Sequence, residues 1–422
     1  MIKVGVELPD DKIKGVDLSR PELGNPGVGG SEYLFILLAS ELCSRGMNIT
    51  VYHYCDNTLP SNVKHNKVND SIEMLKKAED DGMDILIHQV GKTKEWYAHL
   101  KSTNLKSIAW AHVYLEYYEL KLIRNCASVK RIVFVGKEEY DSYIDDDIIQ
   151  KATYIYNMLP TENCPEDRKL DSLEVTYVGS LVPAKGFHKL AEIWPIILKN
   201  VPEAKLNIIG NGKVYNRSAK LGKYGIAQDD YENSFMKYLI DNNGNILPSV
   251  HFWGIVGTEK DNIFKRTTVG IVNPTALTET FCMSAVEMEF AYIPVVSKRK
   301  WGLLDTVKNK QTGFLFKNKS EFINRVITLL NDLKLNKYMG EEAHNYVKDK
   351  FSVDVIVPQW EKLLNDVDQD IAVGYFPVQG NWTNDYKWLR QFIRLLRFKC
   401  HLYMFPSFYD IKNFLKKVAG RC

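Results

Sequence analysis

The chain contains no CxxC pair, and its seven cysteines (Cys43, Cys55, Cys126, Cys164, Cys282, Cys400 and Cys422) are odd in number and scattered. Such spacing suggests neither a zinc cluster nor a disulfide framework, and a reducing compartment is the expectation. No apolar run reaches the ~18 residues that a membrane-spanning helix needs. The opening "MIKVGVELPDDK" lacks the charged and apolar regions of a signal peptide, so a cytoplasmic location is expected. An excess of one charge is also missing: 55 basic residues stand against 52 acidic ones, a net charge of +3 over 422 residues. That balance gives no support to a nucleic-acid partner. The aspartate triplet, Asp145 to Asp147, reads as a surface loop rather than a metal motif, and no metal is expected.

What is present is the composition of a folded protein, 45% hydrophobic and 25% charged, at a length that suits two domains of ordinary size. Short β-branched runs alternate with helical patterns from the start. "IKVGVEL", "NITVYHY", "MDILIHQ", "KSIAWAH", "RIVFVG" and "ATYIYNM" read as strands, and "SEYLFILLASELCSRG" as a helix closed by Gly46. "LPTENCPEDRKLDSL" breaks the pattern with prolines and charges and reads as a linker. The alternation resumes through "LEVTYVGS", "AKLNIIG", "VHFWG", "VGIVNP", "IPVVS" and "TGFLF". The polar stretch from Lys213 to Asn245 is long for a loop and is expected to carry a helix of its own. The fold class is therefore α/β: two doubly wound Rossmann-like domains facing across a cleft, with a C-terminal helical extension. The expected boundaries are 1–165, 172–350 and 351–422. Ligands of such sheets sit outside the carboxyl ends of the strands.

Four stretches place chemistry there. "NPGVGGSE" puts Gly29 and Gly30 between a strand and a helix start, where backbone can approach an anion closely; a simple turn with a serine cap would look the same. It is not GxGxxG, which disfavours a dehydrogenase. His112 ends a strand in "SIAWAHVYLEYYE", at the rim where chemistry occurs, although a lone histidine is more often structural. "YVGSLVPAKGF" delivers Lys185 to a helix start, as a phosphate-binding ammonium or as a surface lysine. In "TETFCMSAVE", Glu279 lies just before a helix expected to begin near Phe281, and Glu287 lies about two turns further on. Free amides of Thr280 and Phe281 suit a phosphate, while a carboxylate at Glu287 among apolar neighbours wants a partner; a solvated helix face is the plain alternative.

In order and spacing these pieces resemble the retaining glycosyltransferases of the GT-B fold, family 4, over residues 1 to about 367. The resemblance implies a nucleotide-sugar donor as substrate, no cofactor and no required metal. It implies that Gly29 and Gly30 lie under the sugar diphosphate, that Lys185 binds its phosphates, and that Thr280 and Phe281 offer backbone N–H groups. Glu287 would hold the ribose, Glu279 the donor sugar, and His112 would sit near the reacting carbon. Gly210, Gly212 and Gly254 would frame the base. "FSVDVIVPQWEKLL" resembles the helix by which such chains cross back to the first domain. Ser180 departs from the pattern, which often has arginine there, so the phosphate charge is expected to be met by Lys185 alone or with a basic residue elsewhere such as Arg266 or Lys260. The alternatives are a GT-B sugar-nucleotide epimerase and a non-catalytic sugar-nucleotide-binding scaffold.

The last 36 residues, 387–422, hold nine basic residues and a single acid, Asp410. At helical spacing Leu389, Phe392, Ile393 and Leu396 share one face, with Lys387, Arg390, Arg394 and Arg397 opposite. Such a helix is expected to lie on an anionic membrane surface, placing the protein peripherally on the inner face with a lipid-linked glycan acceptor. Packing on the first domain with a solvated basic face is the alternative.

Overall fold

The computed structural model describes residues 2–161, 169, 172–213, 219–257 and 259–419. Most of the proposed linker, with Cys164, therefore lies outside the described residues. The first sheet takes seven parallel strands: β1 (Lys3–Leu8), β2 (Asn48–His53), β3 (Lys64–Lys67), β4 (Ile85–Gln89), β5 (Lys106–Ala111), β6 (Val129–Phe134) and β7 (Ala152–Tyr154). The second takes six: β8 (Glu174–Val178), β9 (Lys205–Ile209), β10 (Val250–Gly254), β11 (Thr267–Ile271), β12 (Val295–Lys298) and β13 (Gly313–Phe316). The orders are β3-β2-β1-β4-β5-β6-β7 and β10-β9-β8-β11-β12-β13. Each reverses direction once, between β1 and β4 and between β8 and β11, and ligand crevices open at such reversals.

Strand interiors are apolar on both faces because helices cover both sides of a parallel sheet. β3 escaped sequence reading for the opposite reason: "KHNK" is an edge strand with mostly exposed side chains. The helix Gly30–Ser44 is buried nearly all round, with Tyr33 through Ala39 inside. The expected helix between Lys213 and Asn245 is Asp229–Met236. The helix Val353–Asp368 crosses back, burying Val353, Ile356, Val357, Trp360, Leu363, Leu364 and Val367. That is the i, i+3, i+4, i+7 stripe of a core-facing helix, and it joins the hydrophobic core of the first domain.

The tail corrects the sequence reading. Its helix Lys387–Arg394 turns the basic stripe inward: Lys387 and Arg390 are at most 1% exposed and Arg397 is 3% exposed, whereas Trp388 and Phe392 are more than half exposed. Lys387 Nζ meets Glu138 at 2.8 Å and Asp141 at 2.9 Å, and Arg390 reaches Asp145 at 3.3 Å and Asp385 at 2.8 Å. Arg397 pairs with Asp147 at 2.8 Å. The acidic triplet is thus no surface loop, since Asp145 and Asp146 are fully buried. Buried cations need partners more than apolar side chains need shelter, and the first domain supplies the carboxylates. The tail thus packs on the first domain, as the alternative reading had it, but with Lys387, Arg390 and Arg397 buried rather than solvated. Among the described residues no helix is long and apolar enough to cross a membrane.

A carboxyl also joins the two domains. Asp305 accepts from the Glu138 backbone N–H at 2.8 Å and from the Tyr156 hydroxyl at 3.4 Å. Burial, and then Glu138, push its pKa up from 3.8 to about 8.

Two outcomes are expected. Lys387→Ala leaves Glu138 buried without its cation and Asp141 with Lys137 alone, and should lower stability to urea by ~3–5 kcal/mol, the cost of breaking a buried pair; a change below ~1 kcal/mol would contradict the burial. The folded protein keeps a proton on Asp305 that the unfolded chain releases near 3.8, so this contribution is complete below that value and is lost as pH rises toward 8. The fall in denaturation midpoint from pH 5 to pH 8 should therefore be smaller in Asp305→Asn than in the parent.

Candidate functional site

The loops after the strand ends meet in two adjoining cavities. The first, about 140 Å³, is walled on one side by Asn25 and Gly27 to Gly30. On the other side stand Gly179, Ser180, Lys185, Gly210, Ile255, Val256, Lys260, Glu279 and Glu287. The second, about 370 Å³, is lined by Gly30, His112, Val113, Asn157, Lys185, Thr280 and Phe281. Gly30, Lys185, Glu279, Cys282, Met283 and Ser284 border both, so they form one continuous groove. Glu279 and Glu287, placed two turns apart in sequence, face the same space.

Each carboxylate has a cation. Lys185 Nζ donates to Glu279 Oε2 at 2.8 Å, and Asn273 Nδ2 donates to the same oxygen at 2.9 Å. Lys260 Nζ donates to Glu287 Oε1 at 2.7 Å, with both side chains close to 10% exposed. Of the two residues expected to compensate for Ser180, Lys260 is therefore in the wall. Arg266 is not, and lies 3.5 Å from Glu174 instead.

The segment carrying Glu279 is fixed by backbone as much as by side chains. Thr280 Oγ1 donates to the His112 carbonyl at 2.8 Å, tying it to the end of β5. The Gly302 N–H donates to the Glu279 carbonyl at 2.9 Å. A Cβ at Gly302 would overlap the Thr280 carbonyl, which explains glycine there. The following helix begins at Met283, two residues later than the sequence suggested. Its first-turn amides, which a helix leaves without internal acceptors, thus belong to Met283 and Ser284, both in the groove wall. Phe281 instead sends its ring into the interdomain core, 5.2 Å from Phe351.

His112 is packed against Trp110 and Phe35, with centroids at 4.5 and 5.6 Å, and Trp110 in turn rests on Trp360 of the crossover helix. Burial alone lowers its pKa to about 3, so the imidazole is neutral across the physiological range. Its Nε2 is buried without a protein partner, and so is Asn157 Oδ1 in the same cavity wall. Two orphaned polar atoms in one cavity call for a polar ligand. Asn157, Asn273, Met283 and Ser284 were not picked out from sequence, because nothing local marks them.

The glycines divide. Gly29, Gly30 and Gly210 line the groove, but Gly212 and Gly254 do not. Gly254 accepts from the Gly210 N–H at 2.6 Å and so supports it from behind, while the Gly212 N–H bonds to Ile226 at 2.8 Å. Ile255 and Val256 take the wall position expected of Gly254.

Residues 162–346 match the family model described as Glycosyl transferases group 1. An uncharacterized glycosyltransferase of Haemophilus influenzae is 21% identical over 362 residues, covering 80% of this chain and 96% of the relative. The capsular polysaccharide biosynthesis glycosyltransferase CapM of Staphylococcus aureus is 27% identical over 198 residues, 46% of each chain. Among solved structures, Anabaena Alr3699/HepE in complex with UDP and glucose superposes with a TM-score of 0.62 at 16% identity, covering 84% of this chain and all of that one. The two-domain fold is the one these solved glycosyltransferases share, and the second domain is the part that resembles the group 1 glycosyl transferases.

Gly302→Ala should destabilise the protein by ~1–3 kcal/mol in chemical denaturation, the usual effect of forcing a methyl group into packed backbone. Gly30→Ala, whose Cβ finds its nearest neighbour, Met283 Cγ, 4.0 Å away, should stay within ~0.5 kcal/mol of the parent.

Proposed function

We propose that the chain is a retaining glycosyltransferase that moves a sugar from a nucleotide-sugar donor to an acceptor glycan of a surface polysaccharide. The observation that carries this reading is the groove itself. It joins two carboxylate–lysine pairs, a helix start and two unpartnered buried polar atoms, all at the carboxyl ends of two facing sheets. The surface-polysaccharide part leans on the capsular relative. The lipid-linked form of the acceptor was inferred from a basic tail face that is now seen to be buried, and it is not carried forward.

In this reading the nucleoside enters the smaller cavity, with the ribose diol on Glu287 and the base beside Gly210, Ile255 and Val256. The diphosphate lies between Gly29–Gly30 and the Met283–Ser284 amides, where helix-start N–H groups favour an anion. Lys185 meets the charge that grows on the leaving phosphate as the bond to the anomeric carbon breaks. Glu279 and Asn157 hold hydroxyls of the sugar, and His112 lies beside the reacting carbon. A neutral imidazole there can donate or accept a hydrogen bond without adding charge. The acceptor oxygen attacks from the face the diphosphate leaves, and its proton passes to the leaving phosphate oxygen. The phosphate charge is met by Lys185, Lys260 and the helix start, and no metal enters the scheme.

Glu287→Ala is expected to weaken nucleotide-sugar binding by about 10- to 100-fold, the loss of a hydrogen bond to a charged group, with kcat changed far less. Glu279→Gln should lower kcat by at least about 100-fold, on the scale of a lost preorganised charge, with the fold intact by circular dichroism. A panel of nucleotide sugars, assayed with and without acceptor glycans, measures both. Unchanged donor affinity in Glu287→Ala would refute the ribose role, and turnover needing no acceptor would point to an epimerase.

A further inference from the structure

A third cavity, of about 230 Å³, lies next to the groove and is closed by the C-terminal extension. Three parts of the chain supply most of its wall, and Asp385 completes it. The segment after β5 gives Tyr114 and Tyr117, the second domain gives Trp301, and the helix Phe408–Val418 gives Tyr409, Lys412 and Lys416. It neighbours the site described above, with no lining residue shared between them. His112 and Val113 line the larger cavity of the groove, and Tyr114 is the next residue. The Tyr114 hydroxyl stands 3.5 Å from the Glu279 carbonyl, and Gly302, beside Trp301, bonds to that same carbonyl.

The extension is built to hold this wall. The Tyr117 hydroxyl donates to Asp410 at 2.9 Å, and Tyr409 stacks on Tyr143 at 5.1 Å with the rings nearly parallel. Asn384 Oδ1 accepts from the Trp301 backbone N–H at 3.0 Å. Trp301 needs that support, because it sits in the left-handed region at φ 55°, a conformation that a bulky residue adopts only when its surroundings impose it. Its ring is further held by Lys300 Nζ at 4.6 Å and Tyr114 at 5.3 Å. Despite this fixing, Trp301 Nε1 is buried without a partner. A buried indole N–H normally has an acceptor.

The charges at the rim are also uneven. Lys412 and Lys416 are exposed and have no ion-pair partner among the described residues. Of the two nearby carboxylates, Asp385 is already bonded to Arg390 at 2.8 Å, which leaves Glu116. Aromatic walls, an unsatisfied N–H and two unpaired ammonium groups fit a ring-shaped polar ligand that carries negative charge.

We propose that this cavity is an acceptor subsite beyond the reacting position, that it takes a saccharide bearing a phosphate or carboxylate, and that the C-terminal extension exists to complete it. The proposal rests on the reading of the adjoining groove as a sugar-transfer site. Trp301 Nε1 donates to an oxygen of the saccharide, and Lys412 and Lys416 meet its anionic substituent.

Isothermal titration calorimetry of the full chain tests this with tetragalacturonate, a phosphorylated maltotetraose and plain maltotetraose. One or both anionic saccharides should bind about 10-fold or more tighter than the neutral one, the scale of a charge-assisted hydrogen bond. The double variant Lys412→Glu, Lys416→Glu should abolish that preference, and Trp301→Phe should weaken every saccharide several-fold. UDP, titrated separately, should bind the parent and both variants alike. Equal affinity for the three saccharides, no binding of any, or a preference that survives charge reversal overturns the subsite. Failure of UDP and other nucleotides to bind, with saccharide binding intact, would instead overturn the transfer reading and leave an anionic-glycan cavity in place.

Discussion

The clamp on the loop from Asn273 to Phe281 governs the rest of the molecule. Its carbonyls and hydroxyl are bonded in two directions: Thr280 to the end of β5 in the first domain, and Glu279 to Gly302 in the second. Lys185 and Asn273 then fix the Glu279 carboxylate itself. A loop gripped from both sheets sets where the carboxylate, the helix start and the neighbouring cavity stand relative to one another. The groove is thus a property of how the two sheets face each other rather than of either alone.

Behind that clamp the two domains share packing as well as hydrogen bonds. Phe281 and Phe351 from the second half lie against Tyr156 from the first, and the crossover helix returns Trp360 to Trp110 beneath His112. The neutral state of His112 follows from this: rings replace water around the imidazole, and the charged form loses its solvation. Asp305 shows the same physics with the opposite sign, as a carboxyl kept protonated by burial where two domains touch.

Most of the fold could be read in the sequence because parallel strands buried on both faces are written as unbroken apolar runs. β3 was invisible because an edge strand owes its pairing to the backbone, and "KHNK" carries no apolar signal. The two glutamates were legible by spacing, and so was Lys185, because loops at strand ends have few other uses for such residues. Lys260 as the partner of Glu287 could only be guessed, since the pair spans 27 residues across separate elements. Asn157 is one asparagine among many until a cavity surrounds it. The tail shows the deeper limit. Helical periodicity reveals that a helix has two faces but not which of them turns inward. Lys387 meets Asp141 across 246 residues, and no local pattern announces that pairing.

That long-range pairing bears on how the chain is made. Glu138, Asp141 and Asp145 belong to the first domain, yet the Lys387 and Arg390 cations that pair with them lie 245 or more residues further along the chain. During synthesis the first domain emerges early, as N-terminal domains do, but its acidic pocket must stay hydrated or protonated until Lys387 and Arg390 have emerged. The final closure of the first domain therefore waits on a distant segment, and a chain interrupted before Lys387 would leave the ribosome with that pocket still open.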